Sequence, residues 1–95
     1  MAVPMQNIKK FNVPYDGTLS DGLIVLVTDF FNSKWHVGCS IYHGGAWEHL
    51  KASTSSYLQI SNIEFSDNVL HITAQMNNPT RVYVCIIQSD GFPTT

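Results

Sequence analysis

The chain has 95 residues, of which 44% are hydrophobic and only 13% are Asp, Glu, Lys or Arg. That balance excludes a disordered chain, and the length allows a single domain, residues 1–95. A net charge of −2, with Lys9, Lys10, Lys34, Lys51 and Arg81 scattered along the sequence, excludes a phosphate-binding stripe, so no nucleic-acid partner is expected.

The first strand-like run is Ile8 to Val13. The adjacent Lys9 and Lys10 suit a sheet edge, where charge blocks unwanted pairing. Pro14-Tyr15-Asp16-Gly17 and Ser20-Asp21-Gly22 supply turn angles. Leu23 to Phe31 follows and is apolar on both faces, unlike a half-exposed strand. A second cover is expected for it. Asn32-Ser33-Lys34 closes this run.

Trp35 to His43 alternates with period two. Trp35, Val37, Cys39 and Ile41 are expected to face the core, with His36, Gly38, Ser40 and Tyr42 on the other side. Gly44-Gly45 suits a type I′ hairpin, which needs positive φ at both central positions. The return strand is predicted over Ala46 to Ala52. This register sets Tyr42 opposite Trp47 and Ser40 opposite His49.

Ser53 to Ser56 reads as a polar loop. The run Tyr57 to Phe65 changes parity, which predicts a bulge or corner near Ser61-Asn62. An Asp67-Asn68 turn then pairs Phe65 with Leu70 and Ile63 with Ile72, both inward, and Glu64 with His71 outward. Asn77 to Thr80 makes another turn. The last strand, Val82 to Ile87, is again apolar on both faces. Residues 1–7 and 89–95 are expected to be tails docking on neighbours. The fold expected is all-β: an antiparallel β-sandwich or jelly-roll-like barrel of seven or eight strands.

No serine lies in a nucleophile elbow, and no glycine-rich loop matches a phosphate-binding pattern. His43 and His49 flank a turn with Glu48 between them, but this is not a zinc-ligand spacing, and the hairpin sets the two imidazoles on opposite faces. No enzyme activity, metal or other cofactor is expected. Cys39 and Cys85 read as small buried hydrophobes, with a disulfide between adjacent strands as the lesser alternative, and neither belongs to a CxxC redox or zinc motif.

Two surfaces remain. One is an aromatic patch of Ser40, Tyr42, Trp47 and His49, able to stack on a sugar ring or anchor a protein. The other is the excess apolar surface at Leu23, Val25, Val27, Phe30, Phe31, Tyr83 and Ile87, expected to form a subunit contact. In its low charge and its Asn, Ser and Thr content, the chain is similar to small β-structured components of phage or viral particles. That resemblance implies a non-enzymatic structural or adhesion module, such as a decoration, fibre or tail protein. Its partners would be copies of itself, a trimer among the options, and other particle proteins. Its location would be the virion or particle surface. The alternative is a carbohydrate-binding module with a glycan ligand on the aromatic patch. The N-terminus has no basic region followed by an apolar stretch, so synthesis in the cytoplasm without a signal peptide is expected. No apolar run reaches the ~20 residues of a membrane helix, so no membrane span is expected.

Overall fold

A computed structural model describes residues 7–50, 58–76 and 81–94. Seven strands form two antiparallel sheets packed as a β-sandwich, with no helix among the described residues. The strands are β1 (Asn7–Pro14), β2 (Ile24–Phe31), β3 (Lys34–His43), β4 (Ala46–Leu50), β5 (Leu58–Ser66), β6 (Val69–Met76) and β7 (Val82–Ile87). One sheet has the order β1-β6-β5 and the other β4-β3-β2-β7. β1 and β2 lie in different sheets, as do β6 and β7, yet β1 pairs with β6 and β2 with β7. The chain thus changes sheet after β1 and again after β6, and the strands flanking these two crossings pair with each other in both sheets.

Local chemistry explains the hairpins. Gly44 and Gly45 have φ of 61° and 82°, as a type I′ turn requires, and they set Tyr42 opposite Trp47 and Ser40 opposite His49. Asp67 and Asn68 have φ of 53° and 59°, giving the expected pairs Phe65–Leu70, Glu64–His71 and Ile63–Ile72. Asn32 and Ser33 form a third such turn. The parity change in β5 is a register shift between Ile60 and Asn62, which lets Leu58, Ile60 and Ile63 all point inward. β1, with Lys9 and Lys10, is the edge strand it was expected to be. The expected loop 53–56, the turn 77–80, residues 51–52 of the return strand and the tail before Asn7 lie outside the described residues.

The core lies between the sheets. Leu58, Ile60 and Ile63 from β5 and Leu70, Ile72, Ala74 and Met76 from β6 meet Val25 and Val27 from β2. Partly buried Phe11, Val13, Val82, Val84 and Ile86 close its margins. Burying a large aliphatic side chain contributes about 1.5–3 kcal/mol, so this cluster supplies most of the driving force.

β3 corrects an expectation. Its inward residues are His36, Gly38, Ser40 and Tyr42, and its outward residues are Trp35, Val37, Cys39 and Ile41. Close packing decides the matter. A Cβ on Gly38 would lie 2.5 Å from Leu58 Cδ2 and 3.3 Å from Ile60 Cγ1. Any larger residue here would force the Leu58 side chain to move and crowd Ile60. The polar members of the inward set are satisfied: Ser40 Oγ lies 2.7 Å from His49 Nδ1, and His36 Nε2 lies 3.2 Å from the Phe31 carbonyl oxygen.

Candidate functional site

The inversion of β3 leaves an apolar face turned to solvent. β2 contributes Ile24, Leu26, Thr28 and Phe30 to it. Opposite them stand Ile41, Cys39, Val37 and Trp35 of β3, and on the other side Ile87, Cys85 and Tyr83 of β7. β4 adds Leu50 and Glu48, which face Cys39 and Ile41. Phe30, Trp35, Val37, Leu50, Tyr83 and Ile87 are between 37% and 58% exposed. With large side chains at roughly 150–250 Å² each, these six alone expose on the order of 600 Å², as much as the largest patch on a typical monomer.

One corner of the face is an aromatic cleft. Phe30 meets Trp35 edge-on with ring centres 5.1 Å apart, and Trp35 tilts toward Tyr83 at 6.2 Å. With Arg81 these rings line a cleft of about 440 Å³. The position of Arg81 is fixed from beneath, because its backbone N–H donates to the buried Asp29 carboxylate at 3.3 Å. Among the described residues, the Arg81 guanidinium faces no carboxylate in an ion pair.

The aromatic patch expected at Ser40, Tyr42, Trp47 and His49 is brought together, but on the inward side of the sheet. Tyr42 and Trp47 meet edge-on at 5.1 Å, and Trp47 packs against the core. Ser40 has no exposed surface. Burial pushes the His49 pKa below the ordinary imidazole value. The neutral ring and the Ser40 hydroxyl share a hydrogen bond of 2.7 Å through Nδ1. These residues form the polar margin of the core.

The residues expected at a subunit contact divide in two. Leu23, Val25 and Val27 have no exposed surface, and Phe31 packs on the core. Phe30, Tyr83 and Ile87 lie on the outer face. Cys85 is exposed and Cys39 partly so, rather than buried as expected, although burial still raises the Cys39 thiol pKa. β2 runs between the two cysteines, about two strand spacings or ~10 Å apart, too far for a disulfide.

The outer face of the other sheet is polar. There His71 bridges Asn12 and Ser66 through its two ring nitrogens, at 2.9 and 3.2 Å. Sequence reasoning also missed a structural role of Asp21: one carboxylate oxygen accepts the Gly44 N–H at 3.0 Å, and the other lies 3.9 Å from His43 Nε2. The pair pins the β3–β4 turn to the entry of β2. Among the described residues, no group of three or more His, Cys, Asp or Glu side chains could hold a metal ion. Among the same residues, no helix is long and apolar enough to cross a membrane.

Comparison with protein-family models gives no match, and comparisons with curated proteins and with solved structures give none either.

Proposed function

We propose that the protein is a non-enzymatic structural module that works as a homo-oligomer, with the outer face of the four-stranded sheet buried between copies. The observation that carries this reading is the chemistry of that face. It is apolar across all four strands, with charge confined to its margins: Glu48 and the Asp21–His43 pair at one end and Arg81 at the other. An interface core is depleted of charge and enriched in aromatic residues, as here. The composition is similar to that of phage and viral particle components, which supports the same role in a particle.

Val37 sits near the middle of the face. Val37→Lys should convert the oligomer into a monomer in sedimentation velocity while leaving the β-sheet circular dichroism unchanged. An oligomer that survives Val37→Lys overturns the reading.

A second reading, carbohydrate binding, rests on the cleft of Phe30, Trp35, Tyr83 and Arg81, whose ~440 Å³ falls in the range of small-ligand sites. On that reading Trp35→Ala removes binding in a glycan array and leaves the mass of the native protein unchanged.

A further inference from the structure

Charges of opposite sign sit near opposite corners of the outer face: Glu48, with the Asp21 carboxylate beside His43 just beyond it, and Arg81. Glu48 on β4 is level with Ile41 and hence with Ile24. Asp29 pairs with Val82, so Arg81, the residue just before β7, comes level with Phe30. Three strand spacings of about 4.8 Å and six residues of about 3.3 Å separate Glu48 from Arg81 by roughly 25 Å. The ground between them is apolar apart from Thr28.

From this arrangement we infer that the face pairs with the same face of a second copy about a two-fold axis, with Arg81 of each copy on Glu48 of the other. The inference rests on the homo-oligomer reading above and specifies its partner, symmetry and contacts. A two-fold contact is self-complementary: whatever one residue meets on the partner, it must also be met by. Arg81 and Glu48 fulfil that condition when the axis lies between the two faces, at right angles to the line joining them.

This axis makes the strands of the two sheets cross at about 70°, nearer to orthogonal than to aligned sheet packing. It runs over Val37, Leu26 and Cys85, so that small and aliphatic side chains meet their own counterparts at the centre. The aromatic cleft lies toward the rim, beside the charged pair. Area is consistent with a stable contact. About 600 Å² from each copy gives about 1,200 Å² from six side chains alone, the lower bound of standard interfaces, before the rest of the face is added.

The test is a charge-swap cycle measured by sedimentation equilibrium. Arg81→Glu and Glu48→Arg should each weaken the dimer about tenfold or more, and the double variant should recover most of the loss. Both side chains are exposed, and the Arg81 contact to Asp29 is made by the backbone, so the fold is retained. A wild-type chain that stays monomeric overturns both the inference and the reading beneath it. A wild-type dimer whose swaps are additive, without recovery, overturns the inference and leaves the apolar-face reading standing; so does a trimer. A second measurement checks the axis independently. In Cys39→Ala protein, a short bis-maleimide should link Cys85 to Cys85 within the dimer, and a dimer that gives no link contradicts the axis.

Discussion

Phe30 and Trp35 face each other across β2 and β3 on the solvent side of the sheet, edge to face at 5.1 Å, with Trp35 the more exposed of the two. Two large rings left about half exposed in this way gain hydrophobic stabilisation from a covering surface. In Trp47→Phe protein, Trp35 is the sole tryptophan. Its fluorescence should be blue-shifted at high concentration and move to the red on dilution, as copies separate. Red emission at every concentration would show the ring to be uncovered.

Gly38 lies on the packed side of β3, against Leu58 and Ile60. Gly38→Ala should destabilise the fold by about 1–3 kcal/mol, since the new methyl overlaps the side chain of Leu58 and crowds Ile60. Urea unfolding of the variant measures this. An unchanged midpoint would mean that β5 can retreat without loss.

His49 gives the fold a pH dependence of predictable sign. Its pKa is lowered by burial, so the folded state favours the neutral ring. The unfolded chain therefore binds more protons as pH falls below the ordinary imidazole value of 6.5. Its contribution to stability is present above that value and is lost as pH falls through the lowered one. The drop in urea midpoint between pH 7.5 and 5.5 should be smaller in His49→Gln than in the wild type. Equal drops would place the dependence elsewhere.

Ser33 occupies a left-handed position, φ 63°, in the turn between β2 and β3. Such a conformation costs an L-residue roughly 1–2 kcal/mol, against a smaller entropic cost for glycine. Ser33→Gly also creates the Asn-Gly pair that type I′ turns favour. It should raise stability by about 0.5–1 kcal/mol in thermal or urea unfolding, and a lower midpoint would contradict this account of the turn.

The sequence made the hairpins readable because turn angles are local. Gly44-Gly45 and Asp67-Asn68 fix their registers, and Ile60 and Ile63 betray the bulge by their parity. The inward face of β3 was not readable from hydropathy. Period two divides a strand into two sets but does not say which is inside, and β2 beside it is apolar on both sides. Trp35, Val37 and Ile41 are the greasier set and yet face out. The available signal was Gly38: glycine inside a strand marks a close approach of neighbouring atoms, so its face is the packed one. Ser40 can be buried, and His49 partly so, because they hydrogen-bond each other. The expected aromatic patch was thus assembled correctly but assigned to the wrong side of the sheet. The cleft of Phe30, Trp35, Tyr83 and Arg81 depends on the β2–β7 pairing, which no local pattern reports.

The most direct measurement of the central claim is the native mass by light scattering across a dilution series from high to low micromolar. Burial of the outer face between copies predicts a species of at least twice the 10.6 kDa chain mass that dissociates only on dilution. A well-folded species of 10.6 kDa at every concentration would contradict it.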